Sequence, residues 1–193
     1  MELVLASRNR HKAHEFGVLL DGVDVLPLPE EVQLPPETGE TFEANALVKA
    51  RTAAAATSRL AFADDSGIES AALGGAPGVR SARFAGEDAT DEANLAKLLR
   101  EAPAGSALTY VCALAVVDPA TGEEHVFEGR CTGTLAQAPR GDGGFGYDPA
   151  FIPDDLGDGR TMAELSVPEK DAISHRGRAA RDLLAWLTQV DRG

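Results

Sequence analysis

The sequence predicts an α/β fold with a mixed central sheet flanked by helices, and three observations carry that prediction. Short apolar runs alternate with stretches of helical periodicity over the first hundred residues, the pattern of strands covered by helices. Two long strand-like runs, Leu108 to Asp118 and His125 to Leu135, are separated by the turn-forming Pro119 to Gly122, so one strand pair is a hairpin and not a parallel crossover. The 193 residues contain no repeats, low-complexity tracts or linkers, which fits a single folding unit spanning 1–193.

Each element has a local reason. Glu2 to Ala6 reads as a buried strand, and Ser7-Arg8-Asn9 as the turn and cap of a helix with Phe16, Leu19 and Leu20 at helical spacing. Val23 to Leu28 reads as a second strand, followed by a proline-rich loop from Pro27 to Pro36. Thr41 is the candidate cap of an alanine-rich helix reaching about Thr57. Leu60 to Ala63 is a strand that ends in Asp64-Asp65-Ser66-Gly67, and Asp91 to Glu101 is an amphipathic helix. Pro139 to Pro149 is a glycine-rich loop, and a helix from about Gly177 to Val190 closes the chain.

Composition narrows the function. Lys+Arg 18 against Asp+Glu 31 gives a formal charge of −13, which argues against a nucleic-acid polymer partner. A mononucleotide stays open, because a small anion needs only a few well-placed cations. A chain of this length buries roughly 70% of its extended surface and needs no disulfide or structural metal. Cys112 and Cys131 have neither metal-ligand nor redox spacing and read as buried thiols in a reducing compartment. No apolar run approaches a membrane span and the start lacks a basic n-region, so the expectation is a cytoplasmic protein with no membrane partner. Only four of the 18 basic residues are lysines, namely Lys12, Lys49, Lys97 and Lys170, and they point weakly to places that want a compact ammonium.

Four segments carry more polar specificity than folding requires. Ser7, Arg8, Asn9, Arg10, His11 and Lys12 sit between a strand and a helix, where N–H groups and the helix dipole accept phosphate. The P-loop pattern is absent, and the same residues could be ordinary caps and a solvated face. On the second helix Phe42, Asn45, Ala46, Lys49 and Ala53 share one stripe, so Asn45 and Lys49 either face a polar cleft or, for Lys49, snorkel to water. Asp64 and Asp65 should point to opposite faces and play different roles. Their oxygens suit Mg²⁺, though an Asx-turn is the structural alternative. The loop from Gly141 to Asp148 offers Phe145 as a stacking surface, with Lys170, His175 and Arg176 further on as donors. A hydrolytic triad of Ser66, Asp65 and His175 is disfavoured, because the nucleophile elbow is missing.

The segments SRNRHK, ETGETFEANALVKAR, ADDSG with ALGGAPGVRSARFAG, GGFGYDPAF and AELSxxEKDAISHRGRA closely resemble those of the inosine triphosphate pyrophosphatases, the RdgB-like enzymes. They occur in the family's order from residue 3 to about residue 185. One departure is visible: the family usually has T-G-N-x-x-K near its start, and here Ser7-Arg8 replace Thr-Gly. Arg8 should therefore either point away from the phosphate or add a contact to it.

The resemblance implies a two-lobed homodimer with a nucleotide-binding cleft. It implies Mg²⁺-dependent hydrolysis of ITP, dITP and XTP to the monophosphate and pyrophosphate, a cleansing of the nucleotide pool. It makes Asp65 catalytic and, with Glu37, metal-ligating, with Asp64 in support. Ser7, Asn9, Lys12 and Lys49 would bind the phosphates, Ser66 the substrate, and Phe145, Gly146, Tyr147 and Asp148 the wall against the base. Lys170, His175 and Arg176 would read the base. Donors aimed at purine position 6 accept a 6-oxo group and meet the adenine amino group donor to donor. The competing readings are a non-catalytic nucleotide-binding regulator and a pyrophosphatase of broader specificity.

Overall fold

A computed structural model describes residues 1–190. The chain runs β1 (Glu2–Leu5), α1 (Arg10–Leu19), β2 (Asp24–Pro27), α2 (Phe42–Thr57), β3 (Ala61–Ser70), α3 (Asp91–Glu101), β4 (Ala107–Val117), β5 (Glu124–Leu135), β6 (Phe151–Pro153), α4 (Val167–Ile173) and α5 (His175–Val190), with short 3₁₀ turns between. The six strands form one sheet in the order β2-β1-β3-β4-β5-β6. It is mixed, as expected: β1 is parallel to β2 and to β3, and β5 is antiparallel to β6.

The caps lie where the side chains ask for them. Asn9 Oδ1 accepts from the N–H groups of His11 and Lys12 and opens α1. Thr41 Oγ1 accepts from Ala44 N–H (3.1 Å) to open α2, and Thr90 does the same for α3, whose first turn carries Asp91 and Glu92 at the positive end of the dipole.

Three expectations need correction. β3 does not end at the aspartates: it continues through Asp64 and Asp65 to Ser70, so both carboxylates lie inside a strand. The final helix begins at His175, two residues earlier than expected, which puts His175 and Arg176 in its first turn. β6 and α4 were not anticipated. The latter is opened by a capping box in which the Ser166 side chain accepts from Glu169 N–H and the Glu169 carboxylate accepts from Ser166 N–H.

The chain folds as two compact units. The first comprises Met1–Asp65, Cys112–Gly129 and the chain from Gly177 onward, and the second Ser66–Val111 and Arg130–Arg176. In the first unit Leu3, Leu5, Phe16, Phe62, Leu114 and Leu183 form the core, with Phe16 and Phe62 edge to face at 5.5 Å. In the second, Ile68, Leu98, Leu108, Tyr110, Phe151 and Met162 do so. Both thiols are free and buried. No described helix is long and apolar enough to cross a membrane.

Candidate active site

In the first unit, α2 turns Asn45 and Lys49 inward one helical turn apart, and both are buried. Lys49 does not snorkel. Its ammonium donates to Glu37 Oε1 (2.5 Å) and to the Asp64 carbonyl (2.8 Å), and lies 3.6 Å from Asp65 Oδ1. Asn45 joins two parts of the same group: its Nδ2 donates to Asp65 Oδ2 (2.9 Å), and its Oδ1 accepts from Gly39 N–H (2.7 Å). A side chain at position 39 would bring its Cβ within 2.6 Å of that oxygen, so only glycine lets the Glu37 loop approach. The helical stripe places Asn45 beside Lys49, although the resemblance gives it no role. Its polarity in an alanine-rich helix was the signal.

The strand alternation separates the two aspartates. Asp64 pairs with the Lys12 ammonium from α1 and accepts a weak bond from the Cys112 thiol, while Asp65 faces Asn45 and Lys49. Burial pushes the Asp65 carboxyl above the usual carboxylate range and Glu37 adds to the rise, against the opposing pull of Lys49, Asn45 and Lys12. Burial lowers the Lys49 ammonium, but Asp65, Glu37 and Asp64 together outweigh it and hold Lys49 above its ordinary value. Lys49 therefore stays charged. Glu37 and Asp65 are oxygen donors that could hold a hard divalent cation. Among the described residues no three His, Cys, Asp or Glu side chains gather as a metal cluster, so the chain offers two carboxylates and not a complete cage.

The start of α1 separates what the sequence left open. Ser7 Oγ accepts from Asn9 N–H and Asn9 caps the helix, leaving Arg10 exposed and His11 and Lys12 in the first turn. Arg8 takes the first of its two alternatives and points away. Its guanidinium donates to the carbonyls of Leu28 (2.7 Å), Pro29 (2.6 Å), Glu30 (3.2 Å) and Val32 (3.0 Å), clipping the proline-rich loop to β1. Those contacts make Arg8 a clip on the 28–32 loop.

In the second unit Phe145 is half-buried, with Lys170 Nζ 5.3 Å and the Arg176 guanidinium 5.2 Å from its ring centre. Arg176 also donates to Ser66 Oγ (2.6 Å). The His175 ring is buried and stacks on Tyr110 at 4.6 Å and 5°. Gly146 N–H donates to Asp91 Oδ2 (3.0 Å). Two further expected wall residues, Tyr147 and Asp148, are buried. Tyr147 turns its ring into the core and donates to the Ser81 carbonyl (2.7 Å), with its hydroxyl pushed up by burial and by Asp91. Asp148 is buried, accepting from Tyr110 at Oδ1 (3.0 Å) and from Phe145 N–H (3.0 Å) and Lys170 (2.9 Å) at Oδ2. A Cβ at Gly144, which adopts φ 69°, would overlap that second oxygen. Tyr110 was missed altogether, because a tyrosine inside a strand-like apolar run looks like core.

A sheet of this order bearing these two residue sets defines one class of α/β protein, and comparison with known proteins says which. The model of the Ham1 family matches residues 3–186, and the chain belongs to that family. A dITP/XTP pyrophosphatase of Mycobacterium tuberculosis is 49% identical over 209 residues, covering 100% of this chain and 98% of the relative. A HAM1 protein structure from Coxiella burnetii superposes with a TM-score of 0.87 at 41% identity, covering 98% of this chain and 99% of that one. The crystal structure of a nucleoside-triphosphatase, or dITP/XTP pyrophosphatase, from Mycobacterium abscessus gives 0.74 at 47% identity, covering 95% and 99%. These relatives bear out the resemblance read from the five segments.

Proposed function

We propose that this protein hydrolyses the non-standard purine nucleoside triphosphates dITP, ITP and XTP to the nucleoside monophosphate and pyrophosphate, acting in the cytoplasm as a homodimer. Near-half identity over the whole chain to relatives named dITP/XTP pyrophosphatase supports the reaction. The observation that carries it is the group of buried Asp65, Asn45 and Lys49 with half-buried Glu37, more polar than packing needs and built from groups that handle water and phosphate.

Glu37 and Asp65 would hold Mg²⁺ as the cofactor. The donor set fits: two carboxylates of hard oxygen leave the remaining positions for phosphate and water, the arrangement Mg²⁺ favours. When bound, it would neutralise phosphate charge and polarise the phosphorus centre. Asp65 orients the attacking water and takes its proton, a role suited to a carboxylate that burial makes more basic than usual. The bond broken is the anhydride between the α and β phosphates, and the water oxygen ends on phosphorus. Lys49 and Lys12 serve the phosphates, with the positive end of the α1 dipole adding to their field.

The base falls to the second unit, the two units acting as the lobes of one enzyme. Phe145 stacks on the purine, and Lys170, His175 and Arg176 present donors to its 6-oxo edge, with Ser66 held by Arg176. Adenine would put its amino group against those donors and leave buried groups unpaired, at about 1–3 kcal/mol each. The test is pyrophosphate release from ITP, XTP, dUTP, GTP and ATP, with and without Mg²⁺. Release confined to Mg²⁺ and strongest with ITP and XTP is expected. Binding of ITP without release, or faster release from ATP, overturns the proposal.

A further inference from the structure

One side chain in the second unit touches both arms of the base-reading set. Tyr110 lies on β4, buried, with its ring against Phe151 at 4.5 Å. Its hydroxyl donates to Asp148 Oδ1, and the other oxygen of that carboxylate receives Phe145 N–H and the Lys170 ammonium. The face of the same ring stacks on His175, almost parallel. His175 is followed by Arg176, whose guanidinium sits near the Phe145 ring and is bonded to Ser66. Two chains of contact therefore leave Tyr110, one from its edge and one from its face, and both reach Phe145.

The supports differ in stiffness. Phe145 belongs to a glycine-rich loop with Gly144 and Gly146 at positive φ, and Lys170 to a helix of seven residues. Neither fixes a side chain on its own. β4 is an interior strand of the sheet, between β3 and β5, and its backbone is hydrogen-bonded on both edges. A buried carboxylate with three donors adopts one orientation, because turning it leaves donors and acceptors unpaired.

We propose that Tyr110 is a positioning residue for base recognition: its hydroxyl orients Asp148, and through it Phe145 and Lys170, while its ring orients the His175 imidazole. Tyr110 does not touch the nucleotide. The inference rests on the assignment of Phe145, Lys170 and His175 to the base. A stacking ring and the donors on the 6-oxo edge must hold fixed relative positions, and errors near 1 Å are costly at such sites.

The test is steady-state hydrolysis of ITP and ATP by the full-length protein and by Tyr110→Phe, Tyr110→Leu, Asp148→Asn and the Tyr110→Phe/Asp148→Asn double variant. Tyr110→Phe keeps the stack and loses the hydroxyl. It should raise KM for ITP about 3- to 10-fold, the worth of one hydrogen bond, with kcat within about twofold. Tyr110→Leu loses both and should also reduce the preference for ITP over ATP about 10-fold. The double variant should match Asp148→Asn alone, because the hydroxyl acts through that carboxylate. Phe151→Leu, which loosens the packing beside Tyr110 but keeps its hydroxyl bond to Asp148 and its stack on His175, should lower the melting temperature and keep the preference.

Unchanged KM and preference in both Tyr110 variants overturn the inference, as do additive effects in the double variant or an equal loss of preference in Phe151→Leu. If Tyr110→Leu does not fold, Tyr110→Phe and the double variant decide. Absence of ITP turnover by the unaltered protein overturns the functional reading and this inference with it. Normal turnover with unaffected variants overturns this inference alone.

Discussion

The residue sets of the two units follow opposite electrostatic plans. In the first, Glu37 and Asp65 share the one ammonium of Lys49 while Asp64 pairs separately with Lys12, so acid exceeds base at the place proposed for phosphate chemistry. In the second, Lys170 and Arg176 approach a half-buried ring, and the carboxylate of Asp148 is spent on holding Lys170, Tyr110 and the loop. The excess of acid asks for a cation, while the second set offers donors and asks for an acceptor. This local contrast explains how a chain of charge −13 could take a polyanionic substrate: the attraction comes from a few fixed groups and not from the overall field.

If the contrast is right, breaking the first set costs chemistry and breaking the second costs selectivity. Asp65→Asn has the largest expected effect, a loss of at least about 10³-fold in turnover, because it removes the proposed base and a metal ligand together. Its stability should move the other way. A carboxyl raised in the folded protein contributes stability below its unfolded pKa and loses that contribution as pH rises through the folded value. At neutral pH without metal the ionised Asp65 is therefore a burden, and the asparagine variant should melt no lower than the parent in a chelator-containing thermal scan. A clear drop would show that Asp65 is held for structure.

Lys49→Ala should lower turnover by about 10²-fold and cost about 1–3 kcal/mol, since it strips a donor from the buried Asp64 carbonyl and the charge between Glu37 and Asp65. Chemical denaturation and pyrophosphate release measure the two separately, and preserved turnover would remove Lys49 from the site. Arg176→Ala should leave kcat for ITP within about fivefold while the ITP-to-ATP preference falls about 10-fold. An equal fall for both nucleotides would place Arg176 in the chemistry instead. The smallest effect is expected of Arg8→Gly: turnover within about twofold and a stability loss of about 0.5–1.5 kcal/mol. Amide exchange should quicken in the 28–32 loop, and a large rise in KM would return Arg8 to the phosphates.

Much of the first set was legible in the sequence. The helical stripe put Asn45 and Lys49 on one face, Thr41 marked the start of α2, and strand alternation sent Asp64 and Asp65 to different partners. Local periodicity carries that kind of information. What escaped depends on partners far along the chain. β3 continues past Asp65 because neighbouring strands satisfy its backbone, although Ser66-Gly67-Ile68-Glu69-Ser70 has the composition of a loop. Arg8 finds its acceptors some twenty residues away, and Asp148 meets Tyr110 across thirty-eight, distances that no spacing rule reaches. The capping box from Ser166 to Glu169, by contrast, is a local signal written in the Ser-x-x-Glu spacing. The lysine signal proved mixed. Lys12, Lys49 and Lys170 lie in the two sets, while Lys97 belongs to neither and is tied to the Phe84 carbonyl (2.7 Å) and ring.

The central claim joins a metal-assisted acidic set to a donor set that reads a 6-oxo purine. The most direct measurement is pyrophosphate release from XTP and from ATP at equal concentration, with Mg²⁺ and then with excess chelator. We expect release from XTP to exceed that from ATP by at least about 10²-fold and to vanish with the chelator. Comparable release from the two nucleotides, or release from XTP that survives removal of the metal, would contradict the account.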